Sequence, residues 1–144
     1  GCIQVRDTQR DDSCGQFGEI SATAARSSGC VGAVIDGSTR DSNYLIDMGF
    51  PTFCRFRHPA EAFGRFMAVD YQIPIFVRGI DGNLLVNPGD YMFADNDGVV
   101  VVPKDLTLQV LKVAEDYHER ESKSRAAMAS GRDVFEVYKE FGRF

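Results

Sequence analysis

The residues best suited to chemistry in this chain are an adjacent arginine and aspartate, Arg40 and Asp41. They follow an apolar segment, Val31–Ile35, that is typical of a buried strand, and then the turn-forming pair Asp36–Gly37. In folds that alternate strands and helices, the loop leaving the carboxyl end of a strand is where ligands bind. A guanidinium beside a carboxylate there indicates an anionic substrate and a hard cation. A surface ion pair of little energetic value explains the same two residues about equally well.

The segment Gly18–Ile20 is the second candidate, because it begins a predicted helix over Gly18–Ser28 that stops before Gly29. The N–H groups in the first turn of a helix have no helical partner, and they form a ready site for a carboxylate. Glu19 is then either a solvent-exposed acid favoured by the helix dipole or an acid close to a bound metal.

Other motifs carry less chemistry. Asp95–Gly98 resembles the start of a calcium loop, but the first and twelfth loop positions would be Phe93 and Lys104, which cannot bind calcium, so a hairpin turn is the preferred interpretation. His58 and His118 are too far apart in sequence to form a paired metal-binding motif. No nucleophile motif is present.

Four cysteines are widely spaced and match neither a metal site nor a disulfide framework: Cys2, Cys14, Cys30 and Cys54. They indicate a reducing, cytoplasmic compartment. With 144 residues, 44% hydrophobic and 26% charged, the chain is predicted to be one soluble domain without a membrane span. A net charge of −5 argues against nucleic-acid binding. One small basic group is interpreted as a solvated rim in preference to an anion-binding patch: Arg55, Arg57, His58 and Arg65.

The elements that must position these residues alternate in the first half of the chain. Strands are predicted at Gly1–Val5, Gly32–Asp36 and Phe50–Arg55, with helices at Gly18–Ser28 and Arg40–Met48 between them. This order indicates an α/β fold with an at least partly parallel sheet.

The second half changes character. Short apolar runs separated by turn residues predict an antiparallel meander or small barrel, with strands at Ile73–Val77, Asn83–Val86, Tyr91–Ala94 and Gly98–Val102. A long helix, Leu106–Ser130, follows, and its apolar stripe is expected to meet another subunit. Asp133–Glu136 forms a capping box that opens a last helix.

Four motifs together carry a family resemblance: Gly18-Glu19-Ile20, Gly29-x-x-Gly32-Ala33-Val34-Ile35-Asp36-Gly37-x-x-Arg40-Asp41, Gly49-Phe50-Pro51-Thr52-Phe53, and the block from Asn87-Pro88-Gly89-Asp90 to Val102-Pro103. From Gly18 to about Gly131 the chain closely resembles the RraA-like family, which includes the 4-hydroxy-4-methyl-2-oxoglutarate aldolases. The resemblance implies a β/β/α swivelling fold like the phosphohistidine domain, with a mixed sheet, a small barrel-like β part and a long C-terminal helix. Residues 1–144 are then a single RraA-like domain whose N-terminal elements are missing, since family members have further elements before the match to Cys2–Val5.

The same resemblance implies a divalent-metal-dependent class II pyruvate aldolase. It would cleave 2-oxo acids of the 4-hydroxy-4-methyl-2-oxoglutarate type to pyruvate and decarboxylate oxaloacetate as a side activity. Family members assemble as homotrimers or homohexamers with active sites between subunits. The alternative within the family is a non-catalytic regulator that binds and inhibits a ribonuclease.

Residue roles carry over from the family by position. Asp41 holds the cation, Mg²⁺ or Mn²⁺, and Arg40 binds the 2-oxo acid. The backbone amides of Gly18 and Ile20 bind the pyruvate carboxylate, and Glu19 bonds metal-bound water. Glu121 is the candidate for an acid donated by a neighbouring subunit. One departure is Tyr44, which stands where the family usually has an acid three residues past the aspartate.

Overall fold

The structure, a computed structural model, describes residues 1–142. It contains two compact units, one over Gly1–Val101 and one from Val102 onward. The prediction that the whole chain is one domain is not tested by this division and stays a prediction.

The first unit is built on a three-stranded parallel sheet in the order β1–β2–β3. The strands are β1 (Cys2–Asp7), β2 (Cys30–Thr39) and β3 (Thr52–Arg57), and the helices between them are α1 (Glu19–Ser27) and α2 (Ser42–Asp47). The predicted alternation of strands and helices is therefore confirmed. The core between sheet and helices is closed by seven buried apolar residues: Phe17, Ala22, Ala25, Ala33, Ile35, Leu45 and Phe50.

The central strand β2 is longer than the sequence predicts, because Gly37 continues the strand instead of turning it. Beyond an irregularity between Ile35 and Ser38, the strand still pairs Ser38 and Thr39 with β3. A Cβ on Gly37 would lie 2.5 Å from Thr8 Oγ1 and 2.9 Å from Gln16 Oε1. The prediction of a turn at Asp36–Gly37 is therefore wrong. A glycine is needed at position 37 because Thr8 and Gln16 approach the strand closely there.

Helix α2 begins two residues later than predicted, at Ser42. Asp41 is its N-cap residue and has φ 59° and ψ 32°, in the left-handed region. This conformation cannot continue a right-handed helix, so Arg40 and Asp41 lie in the connection between β2 and α2.

The remaining strands form two separate two-stranded sheets, β4–β5 (Ile75–Gly79 and Gly82–Val86) and β6–β7 (Tyr91–Asp95 and Gly98–Val102). The turn between the two sheets is closed locally, since Asp90 N–H donates to the Asn87 carbonyl at 3.1 Å and Pro88 has no N–H for a ladder. Within residues 1–142, the parallel pairs of β1–β2–β3 and the antiparallel pair β4–β5 lie in separate sheets. The predicted α/β class is confirmed without a mixed sheet, and the barrel-like part stays a prediction. Asp97 N–H donates to Asp95 Oδ1 at 2.8 Å, which confirms the predicted turn.

The second unit is helical and begins with a short 3₁₀ turn, Lys104–Leu106. It continues with α3 (Thr107–Ala129) and α4 (Val134–Phe141), so the predicted long helix is confirmed. The Asp133 carboxylate accepts from the N–H groups of Phe135 and Glu136, as predicted for the cap of α4. Among the described residues, no helix is long and apolar enough to cross a membrane.

Candidate functional site

The Asp41 carboxylate lies at the N-terminus of α1. Its Oδ2 accepts a hydrogen bond from the Glu19 backbone N–H at 3.2 Å, and Arg40 Nε is 3.5 Å from the same oxygen. The N-cap residue of α1, Gly18, has no side chain to satisfy the first turn. Asp41 therefore serves as a cap contributed from another loop, and its charge complements the positive end of the helix dipole.

The left-handed conformation of Asp41 is what turns its side chain back toward α1. Aspartate tolerates this region better than most residues, but it still costs about 1 kcal/mol. Residues held in such conformations cluster at functional sites. The contact with Glu19 thus distinguishes Asp41 from a residue of a simple surface ion pair with Arg40.

Two glycines, Gly15 and Gly18, lie against the aliphatic part of the Arg40 side chain and form the surface called here the glycine floor. A Cβ on Gly18 would lie 2.5 Å from Asp41 Oδ2 and 3.1 Å from Arg40 Cγ. A Cβ on Gly15 would lie 3.0 Å from Arg40 Cβ. Because both positions lack a side chain, the arginine can lie across the segment before α1, where about a third of its side chain stays exposed.

The segment before α1 is fixed by a buried polar network that the sequence did not reveal. The Gln16 side chain accepts from Ser38 N–H at 2.7 Å and from the Ser38 hydroxyl, and it donates to the Asp11 carbonyl at 2.8 Å. Phe17 pairs with Thr39 as a parallel bridge, and the Arg40 N–H donates to the Phe17 carbonyl at 2.8 Å. These bonds hold Gly18 beside Arg40. In the sequence, only the two closely spaced glycines, Gly15 and Gly18, indicate that this segment lies against another part of the chain.

The structure brings together Gly18, Glu19, Ile20, Arg40 and Asp41, as the sequence predicts for a site. The Glu19 carboxylate accepts from Thr23 Oγ1 at 3.2 Å, so it points along the first turn of α1. The Ile20 side chain is 78% exposed, and its contribution is confined to its backbone. Glu121 belongs to α3 in the second unit, half-buried, and its role stays a prediction.

The donor atoms at this site suit a hard cation that keeps most of its water. Asp41 and Glu19 offer carboxylate oxygens, and no group of three or more His, Cys, Asp or Glu side chains that could hold a metal occurs within residues 1–142. Mg²⁺ is commonly bound through one or two carboxylates with several waters retained, whereas a structural zinc site needs four protein ligands. A cation that keeps most of its water, such as Mg²⁺ or Mn²⁺, needs no more than the Asp41 carboxylate as a protein ligand, so Asp41 fits such a cation.

The basic residues that were predicted to form a solvated rim make different contacts in the structure. Arg55 pairs with the buried carboxylate of Asp36, which also accepts from the Arg78 N–H at 2.7 Å. His58 Nδ1 accepts from the Ala60 N–H at 3.1 Å, and Arg65 lies 3.4 Å from the Ser13 carbonyl. Arg55 is thus part of the fold and not of a solvated rim.

A cavity of about 320 Å³ adjoins the site along α2, and its lining includes Thr39, Ser42, Phe50 and Arg57 but neither Arg40 nor Asp41. Cys54 also faces this cavity. Burial raises the pKa of the Cys54 and Cys14 thiols, so both favour the neutral form, which is a poor nucleophile. Neither thiol is thereby favoured as a nucleophile near the site.

The sequence of the chain is similar to those of known proteins. The family model described as RraA-like, Aldolase/RraA, matches residues 1–101. A protein of Halalkalibacterium halodurans, provisionally named a 4-hydroxy-4-methyl-2-oxoglutarate aldolase, is 31% identical over 115 residues, which cover 80% of this chain and 52% of that protein. The Legionella pneumophila protein DlpA is 26% identical over 96% of this chain but only 22% of its own length.

Solved structures are similar as well. An uncharacterised protein of Pseudomonas syringae is 30% identical, with a TM-score of 0.86 over 94% of this chain and 66% of that chain. RraAS2 of Streptomyces coelicolor, described as an unusual member of the RNase ES inhibitor RraA family, is 28% identical, with a TM-score of 0.74 over 86% of this chain and 61% of that chain. The chain spans about half of the length of the Halalkalibacterium relative and less than a quarter of DlpA.

Proposed function

Because the chain belongs to the RraA-like family, we propose that it is a divalent-metal-dependent lyase that cleaves 2-oxo acids of the 4-hydroxy-4-methyl-2-oxoglutarate type to pyruvate. The observation that carries this proposal is the position of the Asp41 carboxylate, beside the Arg40 guanidinium and on the Glu19 amide at the start of α1. A protein-binding surface has no need for a carboxylate held at such cost in a left-handed conformation.

The backbone amides of Gly18 and Ile20 are proposed to bind the carboxylate of the 2-oxo acid. They flank the Glu19 amide, which is taken by Asp41. All three belong to the first turn of a helix, where N–H groups and the dipole favour an anion. The substrate carboxylate would thereby be oriented next to Arg40.

Arg40 is proposed to stabilise the negative charge that develops on the keto oxygen when the carbon–carbon bond breaks and an enolate forms. The glycine floor and the contact with Asp41 fix the guanidinium before the substrate arrives. Donors fixed in advance in this way usually provide the largest single contribution to catalysis.

Asp41 would hold Mg²⁺ or Mn²⁺, and Glu19 would orient water beside it. When bound, the metal supplies a Lewis acid that polarises the keto oxygen. Aldol cleavage also needs a base, and we propose that Glu121 of a neighbouring subunit supplies it. Oxaloacetate decarboxylation leads to the same enolate without that base, so it is the expected side activity.

The test is pyruvate release from 4-hydroxy-4-methyl-2-oxoglutarate and from oxaloacetate. We expect release of pyruvate from both substrates with Mg²⁺ and loss of release when a chelator is added, because the Lewis acid is removed. Glu121→Gln is expected to slow the aldol substrate more than oxaloacetate. Equal rates with and without chelator would contradict the proposal, and so would no pyruvate from either substrate.

Replacing Gly18 with alanine is expected to lower pyruvate release about 10- to 100-fold, because the new methyl group would meet Asp41 Oδ2 at 2.5 Å. The extended backbone of Gly18, with φ −152°, accepts alanine without strain, so the cost in stability should be limited to the lost Asp41 cap, about 1 kcal/mol. The matched control is Ser27→Ala at the other end of α1. An unchanged rate in the Gly18 variant would show that the close approach is not required.

We further propose that the chain assembles as a homotrimer or homohexamer through an apolar stripe that runs from the 3₁₀ turn along the first half of α3. This stripe consists of residues that are each between 42% and 48% exposed: Leu106, Val110, Val113 and Tyr117. Val113→Glu is expected to lower the molar mass measured by light scattering to that of one chain, whereas Lys112→Glu, one position away, should not. A monomeric unsubstituted chain would contradict this assembly. We also propose that the complete protein has the β/β/α swivelling topology implied by the family resemblance.

The alternative function is a regulator that binds a ribonuclease, which the description of the Streptomyces coelicolor relative supports. Inhibition of a ribonuclease with no pyruvate release would favour it. Arg40 and Asp41 would then be dispensable for binding. The acidic net charge of −5 supports a small-molecule or protein ligand over nucleic acid, and a cytoplasmic location is proposed with the lyase.

A further inference from the structure

Two cysteines from different parts of the sequence face each other at the start of the parallel sheet. Cys2 and Cys30 are the first residues of β1 and β2 and are partners in the strand register. Their Sγ atoms lie 3.3 Å apart, and both are free thiols. We propose that Cys2 and Cys30 form an oxidisable dithiol that closes to a disulfide in the folded protein.

The pairing of the two residues in neighbouring strands is compatible with a disulfide. Neighbouring strands lie about 4.8 Å apart, and disulfides join Cα atoms separated by about 4.4–6.8 Å. The two sulfur atoms need to approach by only about 1.3 Å to reach bonding distance. The register shifts immediately after Cys2, and such an irregularity gives the strand ends room to adjust.

The pair is also accessible to an oxidant. Cys2 is exposed, and Cys30, like Cys54, is half-buried, whereas Cys14 is buried. With hydrogen peroxide, one sulfur is first oxidised to a sulfenic acid and releases one water; the other thiol then displaces a second water to form the S–S bond. Two protons and two electrons pass from the thiols to the peroxide. Burial and the neighbouring Cys2 thiol raise the pKa of Cys30, so the reaction should accelerate as the pH rises above neutrality.

The disulfide would stabilise the first unit without blocking the site described above. It closes a loop from residue 2 to residue 30, which contains α1, and so restricts the unfolded chain. Arg40 and Asp41 follow the opposite end of the ten-residue strand β2, roughly 30 Å away. The proposal does not depend on the lyase assignment.

The experiment treats the 144-residue chain with hydrogen peroxide and maps its peptides after blocking free thiols. Trypsin cleaves after Arg6, Arg26 and Arg40, so the expected product is peptide 1–6 joined to peptide 27–40, with the intact mass lower by about 2 Da. Peptides that contain Cys14 and Cys54 should carry the blocking group. The thermal midpoint of the linked protein should rise by roughly 5–15 °C and return on reduction.

Variants separate this pair from general thiol oxidation. Cys2→Ser should abolish both the linked peptide and the rise in the thermal midpoint, and Cys54→Ser should preserve both. Links only between copies of the chain would overturn the proposal, as would oxidation of Cys14 or Cys54 ahead of the pair. A fully linked protein with an unchanged thermal midpoint would overturn the stabilising role.

Discussion

Asp41→Asn is expected to reduce metal-dependent pyruvate release by about 1000-fold, because it removes the negative charge that we propose holds the cation beside Arg40. Asparagine is as tolerant of the left-handed conformation as aspartate. Its side-chain oxygen can still accept from the Glu19 N–H. The fold should therefore be preserved, with a change in stability below about 1 kcal/mol.

The measurement is a steady-state rate with oxaloacetate and with the aldol substrate at several Mg²⁺ concentrations. Asp47→Asn at the end of α2 is the matched control, since Asp47 is exposed and the same charge is lost from the same helix. Its rate should equal that of the unsubstituted chain. A variant at position 41 that keeps its full rate would exclude Asp41 as the metal ligand, and Asp41→Ala would then separate capping from binding.

Gln16→Leu is expected to destabilise the protein by about 3 kcal/mol. The Gln16 side chain is the partner of the Ser38 N–H and hydroxyl, and both residues are at most 2% exposed. Leucine is similar in size but cannot accept or donate, so the buried Ser38 N–H loses its acceptor at a cost of roughly 1–3 kcal/mol. The Asp11 carbonyl loses its donor as well, whereas the Ser38 hydroxyl can still donate to the Cys14 carbonyl. Chemical denaturation measures the change in the free energy of unfolding, provided that this free energy depends on denaturant concentration with the same slope in both proteins.

Gln109→Ala is the control for this substitution, because Gln109 is exposed on α3 and its replacement should change stability by less than about 0.5 kcal/mol. If Gln16→Leu unfolds at the same denaturant concentration as the unsubstituted chain, the network does not contribute to stability. Any Gln16→Leu protein that folds should also lose pyruvate release, because Gln16 holds the segment that carries Gly18.

The order of elements could be predicted because local patterns encode it. Apolar periodicity located β2 and α3, and Asp133 marked the start of α4. The boundaries that failed depend on contacts between distant residues. Gly37 looks like a turn in sequence, and only the approach of Thr8 shows why the strand continues through it.

The sequence predicts a set of candidate residues but not how they are arranged. Arg40 and Asp41 stand out by type, and Gly18–Ile20 by its position at a helix start. That the Asp41 carboxylate caps α1 follows from its positive φ, which the residue type permits but does not require. The Gln16–Ser38 bonds were missed because periodicity carries no information about which loop lies beside which strand.

Under the proposed lyase function, the bridge between Phe17 and Thr39 makes activity a reporter of correct alignment of the segment before α1 with β2. A slip of one residue in this pairing would move Gly18 out of its place beside Arg40. A misaligned molecule could keep its helices and much of its burial while having no site at all. The fraction of active molecules in a preparation therefore measures the fraction with native alignment. Circular dichroism measures helix content and cannot distinguish aligned from misaligned molecules.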